Sequence, residues 1–185
     1  MWKYFNILYI VISIIFLLYL ALPNKEFPKK SDNSLQSTEP ADVESPNRRG
    51  YYNNETRPDA ILFYRNEFDK MRIFNFTFVL PSIRLNYPPE DAQVLIRDQA
   101  RSTYLEEIVH PFRESLYING FEPSKDSDSI IVNGSQYKQK IIVRFVSSSV
   151  FLRIIIGFLS LTALYLNIRM WSRIFIRLNK IKYGK

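Results

Sequence analysis

The sequence contains no cysteine, and this absence removes three kinds of chemistry at once. Without thiols the chain can form no disulfide framework, no thiolate zinc site and no cysteine nucleophile. The redox compartment stays open, because a chain without cysteine is compatible with oxidising and reducing surroundings alike.

Histidine and glycine are also scarce, with one His and five Gly in 185 residues. The sequence shows no glycine-rich phosphate loop, nucleophile elbow or zinc-ligand spacing. Glu107, His110 and Glu114 are the one conceivable metal cluster, but a lone His among carboxylates is more typical of a solvated face. We therefore expect a non-enzymatic protein with no catalytic, cofactor-binding or metal-binding residues.

Acidic residues are missing from both ends of the chain. All 18 lie between Glu26 and Asp128, where the basic residues nearly balance them, so the net charge of +7 comes from the ends. This distribution is typical of charge that flanks membrane helices, and it does not favour a basic groove for nucleic acid.

Two long hydrophobic runs dominate the ends. Residues 4–22 carry no charge and span about 28 Å as a helix, which predicts a transmembrane segment. A cleaved signal peptide is the alternative, but the run is long for one and has no small-x-small site. Residues 150–168 are the second predicted span, with a buried core helix as the alternative; the long side chain of Arg153, near one end, can reach the headgroups.

The segments beside these runs differ in composition. Residues 23–58 are rich in Pro, Ser, Asn, Lys and Glu, which predicts a disordered linker. Residues 169–185 place apolar and basic residues on opposite sides, which predicts an amphipathic helix on anionic lipid. The residues expected at the membrane interface are Arg153, Arg169, Trp171, Arg173, Arg177 and Lys180.

Residues 59–148 predict a small α+β domain of order β-β-α-β-β, with one helix covering a mixed or antiparallel sheet. Apolar or alternating residues predict strands at 60–65 and 73–80, the second half-buried. A proline-started segment predicts the main helix at 88–109, followed after Pro111 by a helical piece at 112–118. Asn133-Gly134 predicts a hairpin between strands 129–132 and 137–146.

The last 17 residues contain six cations and no acid, which predicts a cytoplasmic C-terminus under the positive-inside rule. With two spans, the short N-terminus at residues 1–3 is cytoplasmic as well. The central domain is then extracytoplasmic, and periplasmic if the membrane is a bacterial inner membrane.

Small and polar residues within the runs indicate helix–helix contact, namely Asn6, Ser13, Gly157 and Ser160. The leading hypothesis is a non-catalytic accessory or interaction subunit of a larger membrane complex. The alternative is a self-assembling envelope scaffold or sensor, with an architecture like that of polysaccharide chain-length regulators. The expected partners are other membrane proteins or further copies of the chain, and anionic lipid at the tail, but not nucleic acid.

Overall fold

The computed structural model describes residues 2–73, 76–87, 103–123 and 125–183. The chain divides into two compact units. Met1–Pro23 and Ser148–Lys185 form the helical unit, and Asn24–Ser147 form the sheet unit.

The helical unit consists of α1 (Trp2–Ala21) and α3 (Val150–Tyr183). Both helices are long and apolar enough to cross a membrane, over Trp2–Ala21 and Val150–Leu178. The predicted surface helix at 169–185 is not a separate element, since α3 runs through this segment without a break as far as Tyr183. The reason is local, because no Gly or Pro follows Gly157 before Tyr183 and nothing in that stretch ends a helix.

The sheet unit contains an antiparallel sheet of six strands, so the predicted α+β domain is confirmed in outline. Its strands are β1 (Leu35–Gln36), β2 (Arg48–Asn53), β5 (Ile83–Tyr87), β6 (Tyr104–Val109), β7 (Ser115–Phe121) and β10 (Gln139–Val146). Their order across the sheet is β1-β2-β10-β7-β6-β5.

The predicted order β-β-α-β-β is wrong, because the predicted strand at 60–65 lies inside helix α2 (Arg57–Asp69). Thr56 caps this helix by accepting a hydrogen bond from the backbone N–H of Asp59, and a proline occupies the first turn. The side chains that α2 buries follow helical spacing: Ala60, Ile61, Tyr64 and Phe68.

Two predicted helical segments are also corrected. Residues 88–102 lie outside the described residues, but Tyr104–Val109 of the predicted main helix form strand β6, whose Tyr104 and Ile108 belong to the core shared with α2. Residues 112–118 are not helical either, because Phe112 has a φ of 62° in the turn and β7 begins at Ser115. The bond from the His110 N–H to the Glu114 carbonyl closes this turn, at 3.0 Å.

The predicted disordered linker at 23–58 is wrong as well, because it contains β1, a 3-10 turn at Pro40–Asp42 and β2. Strand β2 pairs with β10 along six residues, and all but one of its own residues are buried. Composition was misleading because several polar side chains of this segment are buried, some of them in ion pairs. Lys140, for example, lies 2.7 Å from the carboxylate of Asp42.

Two hairpins complete the unit. The predicted hairpin turn is confirmed, with β8 (Ile130–Val132) and β9 (Ser135–Tyr137) joined by Asn133 and Gly134, both at positive φ. The predicted second strand of this hairpin, at 137–146, is wrong, because most of that segment is β10, which pairs with β2 and β7 in the six-stranded sheet. Strands β3 (Lys70–Ile73) and β4 (Phe76–Val79) form a separate two-stranded sheet. The predicted burial within 73–80 is wrong for β4, whose four residues are exposed because the strand stands apart from the six-stranded sheet.

Helix α2 covers one face of the sheet, and the main core lies between them. Tyr104 donates a hydrogen bond to Gln139 Oε1 at 2.8 Å across this core. A Cβ on Gly120 would lie 2.0 Å from the Tyr104 ring, so the glycine makes room for it. The core residues are Tyr51, Ile61, Tyr64, Phe68, Tyr104, Ile108, Leu116, Ile118, Ile141, Val143 and Phe145.

Candidate functional site

The contact between α1 and α3 is close because one position on α3 has no side chain. A Cβ on Gly157 would lie 2.4 Å from Leu20 Cδ1, well inside van der Waals contact. Leu20 is the one buried residue of α1. Small residues allow helix backbones to approach each other, and this is the usual basis of helix association in membranes.

Two tyrosines add hydrogen bonds between the helices. Tyr9 donates to the backbone carbonyl of Leu161 at 2.5 Å, and Tyr165 donates to Asn6 Oδ1 at 3.4 Å. The two tyrosine rings also pack together, with centroids 5.4 Å apart. Asn6, which the sequence marked for helix contact, therefore lies at the contact in the structure.

Arg153 lies at the other end of the same contact. Its Nη2 donates to the Leu22 carbonyl at 2.9 Å, and the residue is only 6% exposed. The last carbonyls of a helix have no partner within the helix and carry partial negative charge, so a cation is favourable there. The guanidinium that was expected at the membrane interface is thus turned toward the end of α1.

The other predicted residues make fewer contacts in the described part of the chain. Ser13 Oγ is buried without a hydrogen-bond partner there, and Ser160 is exposed. The side chain of Lys180 lies outside the described part. The remaining residues expected at the membrane interface are exposed on α3: Arg169, Trp171, Arg173 and Arg177.

In the sheet unit, the conceivable metal cluster is not assembled. Glu107 accepts a hydrogen bond from Tyr87 on the face away from α2, whereas His110 stacks on Phe68 of α2 with ring centroids 4.2 Å apart. Among the described residues, no group of three or more His, Cys, Asp or Glu side chains is placed to hold a metal ion.

His110 instead belongs to a buried ion network. Its Nε2 lies 3.0 Å from the Leu80 carbonyl and 3.6 Å from Asp69 Oδ1. Its Nδ1 lies 3.5 Å from Glu114 Oε1, which also accepts from Arg113 at 2.8 Å. Burial alone would raise the pKa of the Glu114 carboxyl, but hydrogen bonds from His110 and Arg113 outweigh it and hold that pKa below its usual value.

A second buried carboxylate joins α2, β5 and β6. Glu106 is fully buried and accepts two hydrogen bonds from Arg84, at 2.6 and 2.7 Å, and one from Arg57 at 2.6 Å. Burial raises the pKa of Glu106, yet the two arginines lower it more, so the pKa lies below the usual value. Both buried acids are thus engaged in internal pairing.

Comparison of the sequence with models of known protein families, with curated proteins and with solved structures found no match. The fold and the helix contact define a protein with two long apolar helices and an α+β sheet unit. Its function therefore has to follow from its own geometry.

Replacing Gly157 by Leu is expected to separate α1 from α3, because the new side chain would overlap Leu20. Overpacking of this kind typically costs about 1–3 kcal/mol. Because the chain has no cysteine, Asn6→Cys together with Tyr165→Cys introduces a single pair of thiols, one on each helix, that a short bismaleimide can join. The yield of this intramolecular cross-link in each variant measures the contact between α1 and α3. Ala163→Leu is the control, since Ala163 is exposed. Equal cross-linking in both variants would contradict this contact.

The lowered pKa of Glu114 predicts an acid-sensitive contribution to stability. Because the folded-state pKa is lower than the unfolded value of about 4.3, the contribution is present above that pH and is lost as the pH falls through the folded value. Glu114→Gln removes it and breaks the buried ion pair with Arg113, at a cost of about 3–5 kcal/mol at neutral pH. Urea unfolding of the full chain in detergent measures both effects.

The matched control for that variant is Glu67→Gln, because Glu67 pairs with the half-exposed Lys70 and such pairs contribute about 0–1 kcal/mol. The stability of Glu114→Gln should also fall less steeply than that of the parent chain on acidification. If the stabilities of Glu114→Gln and the parent chain fell equally steeply as the pH is lowered, Glu114 would not be the source of the acid sensitivity.

Proposed function

We propose that this protein is a non-catalytic, membrane-anchored accessory subunit of a larger membrane complex. In this proposal α1 and α3 span the bilayer, the sheet unit lies on the non-cytoplasmic side, and the exposed flanks of the helix pair contact other membrane proteins.

The observation that carries the proposal is the narrow contact between two otherwise exposed apolar helices. Leaving one large apolar side chain in water costs about 1.5–3 kcal/mol relative to burying it, and the helix pair exposes more than twenty. Lipid or a neighbouring membrane helix would remove this cost. The exposed apolar residues include Ile7, Leu8, Ile10, Val11, Ile14, Ile15 and Leu18 of α1, and Phe151, Leu152, Ile156, Phe158, Leu159, Leu164 and Leu166 of α3.

The length of α1 agrees with this function. The 20 residues of α1 are about 30 Å long, which matches the hydrocarbon thickness of a bilayer. Arg169, Arg173 and Arg177 lie on the distal half of α3, and cations near a helix end favour the cytoplasmic side. This orientation places the sheet unit outside the cytoplasm.

The sheet unit supports a binding role over a catalytic one. The buried carboxylates of Glu106 and Glu114 are each held by arginine, and Asp42 is held by Lys140. The pKa values of Glu106 and Glu114 are held below their usual value, so neither carboxylate is suited to proton transfer at neutral pH, which requires a pKa near the working pH.

The accessory role is tested by mass. After carbonate extraction the full chain should stay in the membrane pellet, and mild detergent should release it in a complex heavier than the 22.0 kDa chain and containing other proteins. A lone monomer in mild detergent would contradict the proposal. A particle made of several copies of this chain alone would favour the self-assembling scaffold instead.

The orientation is tested with single cysteines, since the chain has none of its own. Ser135→Cys, in the exposed turn region of the β8–β9 hairpin, should react with a membrane-impermeant maleimide applied to intact cells or spheroplasts. Asn179→Cys should react only after permeabilisation. The reverse pattern would place the sheet unit in the cytoplasm.

A further inference from the structure

The face of the sheet opposite α2 carries a cavity of about 350 Å³, here called the arginine groove. Arg48 of β2 and Arg144 of β10 line it together with Tyr117 and Asn119 of β7. Ile142 provides an apolar part of the lining. A volume of this size is within the range of small-ligand sites.

The strand register brings two positive charges together in this groove. Arg48 and Arg144 are directly opposite each other on neighbouring antiparallel strands, so their Cβ atoms are about 5 Å apart on the same face. Like charges in this relation destabilise a sheet. The near-neutral total charge of the central region did not favour a basic groove, because a total does not reveal such local pairing.

Only one of these two charges has an acidic partner among the described residues. Glu44 pairs with Arg48 at 3.2 Å, whereas Arg144 is exposed and has no ion pair there. Glu107 accepts hydrogen bonds from Tyr87 and Tyr117, and it does not line the groove. The charged side chains that do line the groove are Arg48, Arg144 and Glu44, so the lining carries a net positive charge.

Two buried polar atoms of the groove residues are also unsatisfied. Arg48 Nε is a donor and Asn119 Oδ1 an acceptor, and neither has a hydrogen-bond partner in the described part of the chain. Arg48 is 9% exposed and Asn119 6%. A buried polar atom without a partner is energetically unfavourable, so a ligand that supplies both an acceptor and a donor would stabilise this part of the sheet.

We propose that the arginine groove binds a phosphate group. A phosphate presents several oxygens that two guanidinium groups can share, whereas a carboxylate presents two. A protonated phosphate oxygen, or a hydroxyl beside the phosphate, donates the hydrogen bond that Asn119 Oδ1 otherwise lacks. The phosphate can belong to a soluble phosphomonoester or to a phospholipid headgroup. The proposal uses only residues of the sheet unit and goes beyond the accessory role proposed above.

The first test titrates the full chain in detergent with inorganic phosphate and with glycerol 3-phosphate, at constant ionic strength set with chloride. Each should raise the midpoint of thermal unfolding, because a ligand that binds only the folded state stabilises it. Arg144→Gln should weaken the apparent affinity about tenfold or more, which is the effect of losing a hydrogen bond to a charged group. Arg144 is exposed, so this variant should fold.

The control for the titration is Lys138→Gln, which removes one positive charge from an exposed residue that does not line the groove. It should retain the affinity of the parent chain. Equal affinity in the parent chain and Arg144→Gln, or no shift of the parent chain by either phosphate or the lipid below, would overturn the proposal.

A second arm identifies the source of the phosphate. The parent chain and Arg144→Gln are placed in phosphatidylcholine nanodiscs with or without phosphatidic acid, whose headgroup is a phosphomonoester. A rise in the unfolding midpoint that needs both phosphatidic acid and Arg144 assigns a lipid headgroup. A response to the soluble phosphates alone assigns a soluble phosphomonoester. The titration with soluble phosphates in detergent involves neither a bilayer nor the mass of any complex, so the groove and the accessory role can fail separately.

Discussion

The sheet unit depends on one strand being paired along both edges. Strand β10 hydrogen-bonds to β2 on one side and to β7 on the other, so it joins a segment near residue 50 to a segment near residue 120. Without β10 the sheet would separate into β1-β2 and β5-β6-β7. Such pairing between distant parts of the chain closes large loops. The core therefore cannot form until β10 has paired with β2 and β7.

The double pairing of β10 also determines what lies on each face. Ile141, Val143 and Phe145 alternate toward α2 and form the core, so Ile142 and Arg144 face the other way. The same alternation places Glu106 beneath two arginines on the α2 face and Glu107 against tyrosines on the opposite face. Adjacent residues of identical type therefore have different surroundings, and their roles follow from register.

Local signals predicted some of this fold and non-local pairing explains the rest. The hydrophobic runs and the Asn133-Gly134 turn act through neighbouring residues, and the long apolar helices and the hairpin were predicted from them. Helix α2 was also marked locally, by Thr56 and Asp59, but its apolar residues resemble those of a strand. Strand β6 contains good helix formers, and the partners that hold Glu106 in a strand are 22 and 49 residues away. The arginine groove depends on a register that no single segment reveals.

Two hydrogen bonds of the helical unit join a side-chain donor to a backbone acceptor. Tyr9 and Arg153 are donors through their side chains, but both acceptors are main-chain carbonyls, at Leu161 and Leu22. A carbonyl persists whatever residue occupies its position, provided that the backbone keeps its course. Leu161 and Leu22 can therefore be replaced without loss of these hydrogen bonds, whereas Tyr9 and Arg153 cannot. Substitutions in this helix pair should accordingly be more frequent at the acceptor positions than at the donor positions.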